Sequence, residues 1–246
     1  MIQILYLYIM TTQKRKREQE TLQAEKNEVL LKKARFIMEK KSYMKPCDKR
    51  ALTIRGLQLL NEKIKECSHK AYNNANKKGL FECDYEYHGF LITSFNTSMG
   101  NALEEIVGLN ANILCIGKGL NNSNKQKIKG VDHLIIKGDT LFAIDLKSST
   151  NTTSGTFVKI FQNILDSHGN DKTKAYRAIA FYKWHEQLGS IKDNDFTVSP
   201  ETFWEYYVGM YFKPLQDLFH QRYVRFKQHL ACLKDKYPNG INNKYI

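Results

Sequence analysis

Zinc-binding spacings are the first thing this chain of 246 residues lacks. Its five cysteines (Cys47, Cys67, Cys83, Cys115 and Cys232) form no CxxC pair, and its seven histidines include no HExxH or HxH pair. A zinc ribbon and a zinc hydrolase are therefore excluded on spacing. An odd, scattered set of thiols also fits a reduced, cytoplasmic protein better than a disulfide framework. Proline is scarce, at four residues, and glycine numbers fourteen, against 42% hydrophobic and 26% charged residues. That composition excludes a collagen-like or low-complexity chain. Acid is in short supply: 25 Asp and Glu face 38 Lys and Arg, a net charge of +13. Such an excess points to a polyanionic partner, nucleic acid first. Long apolar runs are missing except for the first ten residues, MIQILYLYIM. These are too few to span a bilayer and lack the charged leader and cleavage site of a secretory signal, so no membrane partner is expected. Met10 is followed at once by TTQKRKR, and translation is expected to begin there.

The periodicity divides the chain into three segments: 1–96, helical and irregular; 97–190, the core; and 191–246, helical, all within one compact domain. A charged helix is predicted over 13–42. A second helix is predicted to be capped by Asp48 and to bury Leu52, Leu57, Leu60, Ile64 and Cys67. Gly79 to Phe95 reads as short strands. Thr97-Ser98 then caps a helix with Met99, Ala102, Leu103, Ile106 and Val107 on one face. Strands follow at 113–116, 131–137, 141–147 and 176–182, with a helix around Phe157–Leu165 before the last. The C-terminal part ends in a basic helix from Pro214 to about Tyr237. Helices interleaved with a hairpin and further strands make an α/β fold with a mixed sheet.

The informative segment is Gly130 to Thr150. Lys137-Gly-Asp-Thr140 is a tight-turn signal between two apolar runs, with Gly138 free to take positive φ. With Gly138 and Asp139 as the loop, Lys137 pairs with Thr140 and Ile136 with Leu141, and stepping back sets Asp132 opposite Asp145. Directly opposed residues share a face with Cβ atoms roughly 5 Å apart. Two carboxylates so placed repel unless a cation sits between them. Alternation sends Phe142, Ile144 and Leu146 to one face, and Asp145 and Lys147 to the other, beside Asp132. Two acids and a lysine at the open end of a hairpin suit Mg²⁺, which binds through one or two carboxylates plus a substrate phosphate.

Asp132, twelve intervening residues and Asp145-Leu-Lys147 resemble the PD-(D/E)xK nuclease motif. The run Ala143-Ile-Asp-Leu-Lys-Ser-Ser is similar to the second motif strand of type II restriction endonucleases. Val131 stands where the motif name places proline. The resemblance covers about residues 97–185. It implies a restriction-endonuclease-like core, a mixed central sheet flanked by helices, with helical additions at both ends. It further implies metal ligation by Asp132 and Asp145, a catalytic Lys147, and an extra acid from the preceding helix, Glu104 with Glu105 as second choice. The function so implied is Mg²⁺-dependent hydrolysis of DNA phosphodiesters at a specific duplex sequence, by a homodimer matching the symmetry of its site. A repair or recombination nuclease of the same core and a non-enzymatic basic DNA-binding protein are the alternatives.

Other residues carry duller expectations. His133 falls on the face opposite Asp132 and reads as a packed or exposed histidine; His185, near Trp184, reads as part of a strand-end loop. Lys118, Lys125, Lys127 and Lys129, and the polar run Ser148–Ser154, are placed to touch phosphates or simply to be solvated. Trp204, Tyr206 and Tyr207 read as core or interface.

Overall fold

In the computed structural model, the described residues are 18, 19, 21, 22, 48–78, 84–115, 131–148, 155–167, 172–183 and 185–236. The Met10 start, most of the 13–42 stretch, the 117–130 loop with its lysines, residues 149–154 and Trp184 lie outside them.

Asp48 caps as its position predicts. Its Oδ1 accepts the N–H groups of Arg50 (2.9 Å) and Ala51 (3.1 Å), opening helix α1, Lys49–Lys78. Leu52, Leu60, Ile64, Cys67, Ala71 and Ala75 recur at helical spacing on its buried face. Helix α2, Asp84–Val107, packs along it and corrects two expectations. Residues 84–95 are helical rather than stranded, because Leu91 and Phe95 extend the Met99–Val107 stripe toward the N-terminus at three- and four-residue steps. Thr97 and Ser98 thus lie inside the helix rather than capping it, and the Thr97 hydroxyl donates back to the Thr93 carbonyl (3.0 Å).

Five strands follow: β1 Ile113–Cys115, β2 His133–Lys137, β3 Thr140–Lys147, β4 Thr173–Ile179 and β5 Thr197–Val198. They form one mixed sheet in that order. β1–β2 and β2–β3 are antiparallel; β3–β4 and β4–β5 are parallel. The turn between β2 and β3 is the predicted one, with Gly138 at φ 56° and Lys137 paired with Thr140. Helix α3, Gly155–Ser167, lies in the crossover that lets β4 run parallel to β3.

β4 begins and ends about three residues earlier than expected. Ala180, Phe181 and Tyr182 are buried and apolar, but the Gln216 side chain replaces a strand partner at Tyr182. It accepts the Tyr182 N–H (3.0 Å) and donates to the Tyr182 carbonyl (3.1 Å). The two-residue β5 is too short to leave a periodic signal. Beyond it come a π-helical turn, Thr202–Val208, and helices α4, Phe212–His220, and α5, Arg222–Lys236. The single C-terminal helix expected from Pro214 is divided at Gln221, whose N–H is shared by the Asp217 and Phe219 carbonyls.

The molecule is thus α/β, a five-stranded mixed sheet flanked by helices. One face packs on α1, α2, α4, α5 and the π-turn through Ile135, Ile144 and Ala178; the other packs on α3 through Leu134, Leu141, Ala143, Val158, Phe161 and Leu165. The larger cluster draws on all three sequence segments, and α2 runs across the 96/97 boundary. No described helix is long and apolar enough to cross a membrane.

Candidate functional site

β2 and β3 pair from Lys137–Thr140 back to His133–Ile144, and the register stops one step short of the expected Asp132–Asp145 pair. There the regular ladder gives way. The Asp132 N–H donates to the Ile144 carbonyl (2.8 Å), and the Asp132 Oδ2 accepts the N–H of Leu146 (2.8 Å). The carboxylate is thereby tied across the neighbouring strand, near enough to the Asp145 carboxyl for each to feel the other's charge. Leu141 and Ala143 cover their row with α3; Asp145 continues that row and is itself buried, 4% exposed. Lys147, two residues on and on the same side, donates from Nζ to Asp145 Oδ1 (2.5 Å). The three residues predicted to converge do so.

The electrostatics follow from that crowding. Burial pushes the Asp132 carboxyl above its ordinary range, although the Leu146 N–H, Lys147 and the contact with Asp145 pull the other way. Burial does the same at Asp145; the Lys147 ammonium opposes it, Asp132 adds to it, and Arg177 opposes it. Two neighbouring acids resist joint ionisation, and a positive ion between them reverses that preference. Arg177 is the charged residue that sequence reasoning missed. It stands in register with Asp145 on parallel β4. Alternation along Thr173–Ile179 would have placed it there, had the β3–β4 register been known.

The expected third acid does not join this group. Glu104 is half-buried on α2. Glu105 is held by Lys63 (2.9 Å), which also binds Glu66 (2.8 Å). Among the described residues no three His, Cys, Asp or Glu side chains are arranged to hold a metal ion. The donor set is therefore two carboxylates with an ammonium alongside. That set fits Mg²⁺, which retains waters and completes its shell with substrate phosphate.

His133 sits at the site's edge in sequence but behind it in space. It is fully buried on the opposite face, with neither ring nitrogen hydrogen-bonded among the described residues. Burial alone pushes its pKa down to about 3, so the ring is neutral. His185 is exposed. Trp204 is core, its indole N–H donating to the Ala180 carbonyl (2.7 Å). Tyr207 is buried and Tyr206 is exposed, with the Lys137 ammonium 5.5 Å from its ring centroid.

No family model matches this chain, and neither does any curated protein or solved structure.

Proposed function

We propose that the chain is a Mg²⁺-dependent endonuclease that hydrolyses DNA phosphodiesters, with Asp132 and Asp145 holding the metal and Lys147 serving the attacking water. The observation that carries this reading is the meeting of half-buried Asp132, just ahead of β2, with buried Asp145 on β3, and an ammonium on the latter. Burying two like charges together destabilises a fold, so the arrangement calls for a ligand that repays it.

Asp132 is oriented by the Leu146 N–H, and Asp145 by Lys147. When bound there, Mg²⁺ supplies Lewis-acid stabilisation of charge building on the phosphate oxygens and lowers the pKa of a bound water. Lys147 would hold the attacking water and offset negative charge. Arg177, in register with Asp145, adds a cation to the same face of the sheet. The +13 net charge favours a polyanionic substrate. The finer reading is a cytoplasmic type II restriction enzyme, a homodimer cutting both strands of a symmetric duplex site. It rests on the motif resemblance and on a chain long enough to carry base-reading segments outside the core.

Incubation with plasmid or phage DNA and Mg²⁺, followed by sequencing of fragment ends, tests it. Discrete fragments with one shared end sequence are expected. Asp132→Ala, Asp145→Ala and Lys147→Ala should each abolish cutting. Digestion that prefers branched, damaged or single-stranded DNA would place the site in a repair nuclease instead. Full activity in any of the three variants defeats the assignment.

A further inference from the structure

Helix α5 touches both α1 and α2, and its two flanks differ in kind. On the α2 side the Tyr223 hydroxyl donates to Asn96 Oδ1 (2.8 Å), and the Lys234 ammonium lies 5.7 Å from the Tyr87 ring centroid. On the α1 side one Arg225 N–H donates to Asn61 Oδ1 (2.5 Å) and another to Gln221 Oε1 (3.3 Å). Steps of three and four residues carry that flank from Arg225 to His229, Cys232 and Lys236. The facing flank of α1 runs from Asn61 to Lys65 and His69 in steps of four. Phe226, Leu230 and Leu233 are buried beside the first row, and Leu60, Ile64 and Ala71 beside the second. The packing of the two helices therefore brings both rows to one seam.

The seam gathers Lys65, His69, Arg225, His229 and Lys236, and neither row contains an acid. Glu66 is turned the other way, held by Lys63, which also binds Glu105 of α2. Glu62 and Asp235, next to the rows, are exposed to solvent. The two histidines register the resulting field. Burial lowers the pKa of His69, and Lys65 and Lys236 lower it further. Burial likewise lowers that of His229, with His69, Lys65 and Arg225 adding to the effect. Both half-buried rings are thus held neutral at pH 7 by cations from two helices. An anion laid along the seam reverses this preference.

The form of the seam selects the anion. From Arg225 to Lys236 it follows about 16 Å of helix, the length of about five phosphates of one strand at about 3.4 Å each. Its charges stand in a line, which suits a linear polyanion better than a compact one. Neither row holds an apolar side chain of the kind that wedges into a lipid surface.

We propose that the α1–α5 seam is a docking strip for a nucleic-acid backbone, with successive phosphates on Lys65, Arg225 and Lys236. It lies in the helical layer on the face of the sheet opposite α3. It uses none of Asp132, Asp145 and Lys147, so it stands or falls apart from the nuclease reading.

Anisotropy of a labelled oligothymidylate with the full chain in EDTA tests the strip. Lys65→Glu combined with Lys236→Glu, both at exposed positions, should weaken binding at least about tenfold at low salt. Because bound phosphates draw protons onto His69 and His229, affinity should rise as pH falls from about 7.5 to about 6. His69→Gln with His229→Gln should remove most of that rise. Unchanged binding in the lysine variant, or an unchanged pH response in the histidine variant, overturns the proposal. The unaltered protein gives a second reading, because Cys232 is exposed within the same row. Bound oligothymidylate should slow its alkylation, and an unaffected rate overturns the placement. Tighter binding to phosphatidylserine vesicles than to the oligonucleotide, lost in the lysine variant, would make the seam a membrane surface and also overturn it.

Discussion

Asp145 combines two costs, burial and a facing carboxylate, and one compensation, Lys147. At an effective dielectric of 20, unit charges about 4 Å apart interact by about 4 kcal/mol. The attraction to Lys147 and the repulsion from Asp132 are thus of similar size, and desolvation remains. Asp145→Asn removes the charge while keeping the shape. In EDTA the variant should melt no lower than the unaltered protein, although it has lost all cleavage. Adding Mg²⁺ at about a hundred times its dissociation constant should stabilise the unaltered protein by about 2.7 kcal/mol, which raises Tm by roughly 5–10 °C for a chain of this size. It should leave Asp145→Asn unmoved. Paired thermal melts with and without Mg²⁺ check both halves, and a Mg²⁺ response in the variant counts against Asp145 as a ligand. This part of the site was legible in the sequence because a two-residue turn fixes antiparallel register by counting: once Gly138 and Asp139 are the loop, Asp132 has only one partner. Arg177 was not legible. Its pairing crosses a parallel connection through α3 whose length does not set the register.

At the scale of elements, helices were read well where an apolar stripe stood among polar neighbours and badly where aromatic and β-branched residues crowded it. Asp84–Phe95 holds Tyr85, Tyr87, Phe90, Ile92 and Thr93, all strand-formers by propensity, yet burial of Leu91 and Phe95 against α1 decides for helix. Short connections were read worst, because side chains rather than periodicity hold them. Asp193 is an example. Its Oδ1 accepts the Ser199 N–H (2.6 Å), and its Oδ2 accepts the Thr202 hydroxyl (2.6 Å), tying the approach to β5 to the π-turn behind it. Burial pushes this carboxyl up, but the Ser199 N–H and the Thr202 and Ser199 hydroxyls outweigh it and leave its pKa below the ordinary value. A depressed carboxyl pKa contributes stability above the unfolded value, near 4, and that contribution is lost as pH falls through the lower folded value. Asp193→Ala should therefore cost about 0.5–1 kcal/mol at neutral pH, small because the group is exposed and screened. The difference from the unaltered protein should shrink below about pH 4. Urea denaturation at neutral pH and near pH 3 measures both, and an equal gap at the two pH values would show that packing rather than charge carries the contribution.

The whole molecule adds what no single residue supplies: a field. Thirteen excess positive charges on 246 residues would act on a polyanion at a distance and fade with salt, whereas the chemistry proposed for Asp132, Asp145 and Lys147 would work at contact. The two can therefore be separated by experiment. Duplex binding without cutting, read by fluorescence anisotropy of Asp145→Asn in EDTA, should weaken as salt rises with a log–log slope of about −0.9 per phosphate neutralised. With about six such contacts, affinity should fall roughly a thousandfold between 50 and 200 mM salt. Lys118, Lys125, Lys127 and Lys129 lie between β1 and β2, just ahead of Asp132 in the chain. If they meet the backbone, replacing all four with alanine should flatten the slope by about three to four units. Cleavage by the same fourfold variant, measured at saturating DNA and low salt, should keep its rate, because the residues of the proposed centre, Asp132, Asp145 and Lys147, are untouched. A slope that the four replacements leave unaltered would move the phosphate contacts to another part of the surface. A slope near zero in the first place would remove DNA as the partner altogether, whatever the two aspartates bind.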